Sequence, residues 1–331
     1  MRRNRLRVFA VDSEQALKMI ARAEKILVLT HVSPDGDAIG SLLGLGLMLQ
    51  KLAKRNVTLA CDGGLPSKFD FLPGAASLTE RVTAPFDLVI TVDCSDARRG
   101  GDVLSAAVPS TGSRPPIINI DHHVTNTDFG DLNLVMHGTV STTEVLFRLL
   151  ETWQIELDIE IAACLLTGLV TDTLCFRTAN ITPQVMLVAG ELMEAGADLA
   201  FITSRTVNRK SFDAIRYWGK LLESVRLDDR VVSVHASADS RRQAGDRING
   251  DASIVSFLVT AWEADVAVSF IETDDGRVEI SFRAKPGFDV SKVALELGGG
   301  GHPTAAGCAV DGPLGSVTER VLARLQEVRR N

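Results

Sequence analysis

Between positions 31 and 172, eight acidic and histidine side chains fall in four short groups. His31 opens His31-Val32-Ser33-Pro34-Asp35-Gly36-Asp37. Asp93 follows one apolar run, Asp121-His122-His123 follows another, and Asp172 ends Leu169-Val170-Thr171-Asp172. If the fold gathers them, so many carboxylates cannot all stay ionised without cations, because like charges a few Å apart raise one another's pKa. The set is rich in oxygen, includes imidazole and has no thiolate obliged to serve. That favours manganese or magnesium over structural zinc. The number of donors suits two ions sharing one carboxylate. Two ions roughly 4 Å apart activate a water and neutralise a phosphoryl transition state.

Each group alone has a plainer reading. An aspartate after a strand is usually a turn or cap residue. Asp35-Gly36-Asp37 is a turn signal, and His122-His123 fits a surface pair. What favours a shared site is where the groups fall. Residues 26–30 (ILVLT), 88–92 (LVITV) and 117–120 (IINI) are apolar runs without alternation, as strands buried on both faces are. Residues 57–60 are a weaker fourth. Helical segments between them predict a mostly parallel sheet covered by helices, which binds ligands at the carboxyl ends of its strands. The strand-end groups then share one crevice.

Other elements follow from local signals. Residues 13–24 have helical apolar spacing behind Ser13, the expected N-cap. Thr182-Pro183 and Gly196 bracket a helix over 183–195. Ser141-x-x-Glu144 is a capping box that by itself accounts for Ser141 and Thr142. Residues 201–224 read as a partly helical linker. Beyond it, residues 231–235 form a strand, and 266–271 with 278–282 flank the hairpin signal Asp274-Asp275-Gly276. The expected fold is therefore α/β with two lobes: a catalytic domain over 1–198, a linker over 199–224, and a smaller mixed-sheet domain over 225–331. The active site is expected in the cleft between the lobes. Trp153, Trp218 and Trp262 read as core or linker packing, and His137 and His235 as surface or structural.

The chain has 331 residues, 45% hydrophobic and 23% charged, with 35 basic and 42 acidic residues giving a net charge of −7. That composition fits a soluble globular protein and argues against tracking long nucleic acid through a broad basic face. Five cysteines, none in a C-x-x-C pair, fit a reducing cytoplasm. The uncharged stretch 38–50 is too short and glycine-rich to span a bilayer. Aromatics at 5% argue against a long base-stacking platform.

Taken in order, these motifs resemble the DHH phosphoesterases. They are His31-x-x-Pro34-Asp35-x-Asp37, Asp93-x-Ser95-Asp96-x-x-Arg99, Asp121-His122-His123 and Gly168-x-x-x-Asp172. The segment Gly298-Gly299-Gly300-Gly301-His302, with Ala305-Ala306-Gly307, resembles the DHH-associated domain. The two-domain layout is most similar to the NrnA-like branch of oligoribonucleases and pAp phosphatases. The resemblance implies that His31 and Asp35 bind one manganese, that Asp37, His122 and Asp172 bind a second, and that Asp93 bridges them. His123 would approach the scissile phosphate, and Asp121 would orient the histidines. Arg99, rather than its neighbour Arg98, would sit near the substrate. Gly299, Gly300, Gly301, His302 and Arg283 would hold phosphate and the terminal nucleotide, since glycines let backbone N–H groups converge on an anion and Arg283 adds a charged donor fork.

The implied function is manganese-dependent hydrolysis of very short oligoribonucleotides, and of pAp, by two-metal activation of water. Magnesium is the alternative ion. Rival readings are a phosphodiesterase for cyclic di-AMP or linear pApA, a single-stranded DNA exonuclease and a non-catalytic nucleotide sensor. The expected partners are short RNA and small nucleotides, with no long duplex, no membrane, and a homodimer through an exposed apolar helix.

Overall fold

The structure is a computed structural model describing residues 2–83, 85–108, 114–207, 209–244 and 253–330, the side chains of 2–8, 244, 302 and 328–330 excepted. The chain divides into two compact units, Met1–Arg209 and Lys210–Asn331. The division falls inside the stretch read as a linker. Among the described residues no helix is long and apolar enough to cross a membrane.

The first unit runs α1 (Arg2–Arg22), β1 (Ile26–Leu29), α2 (Gly36–Lys51), β2 (Val57–Ala60), β3 (Leu78–Thr79), β4 (Leu88–Val92), α3 (Gly101–Ala107), β5 (Ile117–Asp121), β6 (Leu132–Val135), α4 (Thr142–Thr152), α5 (Ile159–Asp172), α6 (Pro183–Glu194) and α7 (Leu199–Arg205). Its sheet is wholly parallel, in the order β3-β2-β1-β4-β5-β6. From β1 the chain crosses to β2 on one side and later to β4 on the other. The order thus reverses between β1 and β4, where a crevice opens at the strands' carboxyl ends. β1, β4 and β5 are buried throughout, as their unalternating sequences require.

The uncharged stretch of α2 is a core helix. Gly36, Gly40 and Gly44 recur every fourth residue, so they share one face. A Cβ on Gly36 would collide with Thr171, and one on Gly40 would lie 2.5 Å from the Cys164 carbonyl. These glycines let α2 and α5 approach closely, which brings Asp37 near the start of one helix to Asp172 at the end of the other.

Several expectations are corrected. Ser13 is not a cap, because α1 begins at Arg2. Arginines are good helix formers, so the helix runs through the residues before Ser13. The Ser13 hydroxyl instead donates to the Ala10 carbonyl at 2.8 Å. Asp172 ends a helix, not a strand, since an apolar segment buried all round shows no period to separate the two. Trp153 is buried as expected, but Trp262 is 90% exposed.

The second unit runs α8 (Phe212–Glu223), β7 (Arg226–Asp228), β8 (Val231–Ala236), α9 (Ala238–Ala244), α10 (Val255–Leu258), β9 (Val266–Glu272), β10 (Arg277–Ala284), α11 (Ser291–Glu296), β11 (Gly300–His302), β12 (Ala305–Asp311) and α12 (Leu314–Arg330). Its sheet is mixed, in the order β11-β12-β10-β9-β8-β7, with only β8 and β9 parallel. The β9–β10 hairpin turns at Gly276 (φ +80°), as its sequence signal predicts.

Candidate metal centre

His31 and Asp93 follow the two strands that flank the reversal. His31 is buried, and its Nδ1 lies 2.8 Å from the Val32 carbonyl. A carbonyl only accepts, so Nδ1 carries the proton and Nε2 is left to face Asp93 Oδ2 at 3.6 Å. Asp93 adopts φ +56°, a left-handed conformation that costs free energy in any residue but glycine. Its Oδ1 faces the other way, 3.7 Å from His122 Nε2. The two carboxylate oxygens of Asp93 therefore serve opposite sides of the cluster.

Asp35 is both cap and cluster member. Its Oδ1 accepts the main-chain N–H groups of Asp37 and Ala38 at 3.0 Å each, starting α2. Asp37 is fully buried. His122 Nε2 lies 3.4 Å from Asp172 Oδ2 and 3.9 Å from Asp37 Oδ2. A left-handed turn, with φ of +49°, +60° and +60° at Leu174, Cys175 and Phe176, follows Asp172 and stops α5 there. The donor atoms fall into groups whose members lie within 4.8 Å of one another: His31, Asp35 and Asp93; Asp37, His122 and Asp172; and Asp93 with Asp121, His122 and His123. The first two groups are the ligand sets named from the sequence.

His123 is held differently. Its Nδ1 lies 2.8 Å from Asp121 Oδ1, and Asn126 donates to the other Asp121 oxygen at 2.5 Å. Asp121 thus orients His123 only. His122 instead donates to the Thr139 main-chain carbonyl. The sequence reading gave Asp121 both histidines, because the triplet does not reveal which ring meets its carboxylate.

Electrostatics show the strain of this cluster. Burial, then the charges of Asp93, Asp172 and Asp35, push the Asp37 carboxyl well above its ordinary range. Burial and the charges of Asp93 and Asp35 do the same to Asp172. Burial also opposes ionisation of Asp93, but His31, His122 and His123 overcome it and hold that carboxyl low. Burial acts to lower His123, yet the Asp121 hydrogen bond and the surrounding carboxylates raise it to about 9. Burial lowers His122. Among the described residues no lysine or arginine ion-pairs with Asp35, Asp37, Asp93 or Asp172. Burial pushes the Cys94 thiol up to about 12, and its Sγ is turned to the Asp96 carbonyl at 3.5 Å. An oxygen-rich set with imidazole and no lysine or arginine partner is what divalent cations fit. This cluster can hold divalent metal.

The neighbouring arginines separate clearly. Arg98 folds back on Asp96, donating from Nε at 2.9 Å and Nη2 at 3.0 Å, with a 91% exposed side chain. Arg99 is half-buried, and its carbonyl accepts from the Val32 N–H at 2.8 Å, which ties it to the His31 segment.

In the second unit, Arg283 on β10 lines a cavity of about 310 Å³ with Ser281, Gly300 and Gly301. Its Nε donates to Ser256 Oγ at 3.2 Å. The glycine run is not the open loop expected. Gly300 and Gly301 pair with Gly307 and Ala306 as an edge strand. Glycine is required there because a Cβ on Gly299 would strike the Gly307 carbonyl, and one on Gly301 (φ +140°) would lie 2.5 Å from the Ala305 carbonyl. The side chain of His302 lies outside the described residues.

Sequence reasoning missed Thr142, Thr143 and Ser256. The capping box explained the first locally, and the structure shows Ser141 Oγ accepting from the Glu144 N–H as that motif requires. Nothing local signals that Thr142 and Thr143 bond Asp37, 105 and 106 positions earlier.

Residues 25–169 match the family model described as DHH family, N-terminal domain, and residues 246–330 match the DHHA1 domain. The chain belongs to the DHH family. It is 35% identical over 307 residues to the bifunctional oligoribonuclease and PAP phosphatase NrnA of Thermus thermophilus, covering 91% of this chain and 89% of that protein. It is 27% identical to the cyclic-di-AMP phosphodiesterase GdpP of Geobacillus thermodenitrificans, covering 92% of this chain but 47% of that protein. Among solved structures, an exopolyphosphatase-related protein from Bacteroides fragilis superposes with a TM-score of 0.86 at 25% identity, covering 96% of each chain.

Proposed function

We propose that the protein is a manganese-dependent phosphoesterase that hydrolyses RNA dinucleotides and other very short oligoribonucleotides to mononucleotides and removes phosphate from pAp. The observation that carries this reading is the split of Asp93, one oxygen toward the His31–Asp35 group and the other toward the His122 group. Near full-length similarity to a relative named for both activities supports the substrate class. The match to the cyclic-di-AMP enzyme spans less than half of that protein.

His31, Asp35 and Asp93 would hold one ion, and Asp37, His122 and Asp172 with Asp93 the other. When bound, such ions supply an activated water and neutralise charge on the phosphoryl group. The remaining work falls to the chain. His123, fixed through Nδ1 by Asp121, presents Nε2 to a phosphoryl or leaving oxygen, as preorganised charge stabilisation requires. Arg99 and Arg283 supply forked donors for phosphate oxygens. Close backbone packing at Gly300 and Gly301 leaves room for a nucleotide beside Arg283. A short substrate agrees with the net charge of −7. We place the enzyme in the cytoplasm, where its cysteines stay as thiols, with short RNA as its partner and a homodimer as its assembly.

The test is a substrate panel with Mn2+: 5′-phosphorylated RNA from dimers to long chains, pAp, cyclic di-AMP and single-stranded DNA. Turnover should be fastest on the shortest RNAs and fall with length, with phosphate released from pAp. Preference for cyclic di-AMP or long DNA would overturn the substrate assignment, and binding without hydrolysis would overturn the enzyme.

A further inference from the structure

The first turn of α4 is wrapped around two of the carboxylates. The Thr142 N–H donates to Asp37 Oδ2 at 2.6 Å. The Thr143 N–H and hydroxyl donate to Asp37 Oδ1 at 3.0 and 2.8 Å. Ser141 caps the next N–H, that of Glu144. Asp37 thus stands as an acceptor at the helix N-terminus, where unpaired N–H groups and the helix dipole favour negative charge. The Thr142 hydroxyl points elsewhere, donating to Asp93 Oδ1 at 2.9 Å.

We propose that Thr142 is a positioning residue for the metal centre: its hydroxyl fixes the orientation of the Asp93 carboxylate, while its N–H fixes Asp37. An ionised carboxylate only accepts, so the hydroxyl hydrogen is committed to Asp93. Thr142 is fully buried, so water cannot replace the bond if the hydroxyl is removed. One residue therefore ties the shared ligand to a ligand of the second group, and seating α4 and presetting the cluster become one event. Without that bond no Thr142 donor holds Asp93 Oδ1 in place. The inference rests on reading the cluster as a metal centre.

Mn2+ binding to the full chain, measured by titration calorimetry on wild type, Thr142→Val and Thr142→Ser, tests it. Valine keeps the shape and loses the donor, so at least one Mn2+ should bind about 10–100-fold more weakly, the usual cost of removing a group that orients a ligand. Serine restores the donor and should restore affinity. At saturating Mn2+ the KM for an RNA dinucleotide should stay unchanged, while the Mn2+ concentration giving half-maximal turnover rises. Wild-type affinity in Thr142→Val, or equal losses in Val and Ser, would overturn the positioning role. If the Val variant does not fold, Thr142→Ala carries the same comparison. Failure of the wild type itself to bind Mn2+ would overturn the metal-centre reading, a result distinct from either.

Discussion

Asp93 combines a strained backbone with a carboxylate divided between two donor groups, and both facts follow from its place just after β4 at the reversal of the sheet. The residues of the cluster were legible because each closes a buried run or a turn that sequence marks plainly. Thr142 and Thr143 were not, because a local capping box explained that segment completely and the contact to Asp37 exists only in three dimensions. Arg283, expected just after the second hairpin strand, lies within it, and its Ser256 partner gave no sequence signal. If Arg283 binds substrate as proposed, replacing it with Ala should raise KM for a dinucleotide while leaving kcat nearly unchanged. Steady-state kinetics read the split directly, and a selective fall in kcat would assign Arg283 to the chemistry instead.

At the scale of elements, parallel strands were readable from apolar runs, but α5 was not identified as a helix, because burial on every side erases periodicity. The start of α1 was misplaced because a serine that looks like a cap is instead turned back onto its own helix. The close packing of α2 on α5 decides whether Asp37 and Asp172 meet. Gly168 stands at a close approach, where a Cβ would lie 2.5 Å from Asp37 Oδ1 and collide with Thr143. Gly168→Ala should destabilise the protein by about 1–3 kcal/mol through overpacking. Gly190 on α6 has open space around it, so Gly190→Ala should stabilise by about 1 kcal/mol through helix propensity. Denaturant unfolding of both variants measures the contrast, and equal behaviour would remove the packing argument.

For the whole molecule, the sequence shows two units of different sheet type, because unalternating runs give way to a hairpin pattern after residue 225. It does not show that the glycine run forms an edge strand, since four glycines specify no single backbone conformation. A cluster of carboxylates without lysine or arginine partners should make stability depend on metal. At about 100 times its Kd, Mn2+ should add about 2.7 kcal/mol and raise the melting temperature by roughly 5–10 °C over protein in chelator. Differential scanning calorimetry with and without EDTA checks this, and a melting temperature indifferent to Mn2+ would argue that no ion binds the folded state.

The most direct measurement is release of mononucleotide from a 5′-phosphorylated RNA dinucleotide in Mn2+, comparing wild type with Asp93→Ala. Wild type should turn over rapidly. The variant, still folded by circular dichroism, should lose at least about 10²–10³-fold in kcat, the scale of several kcal/mol of lost charge stabilisation. An inert wild type, or an Asp93→Ala variant with near-normal turnover, would contradict a phosphoesterase centred on a shared Asp93 carboxylate.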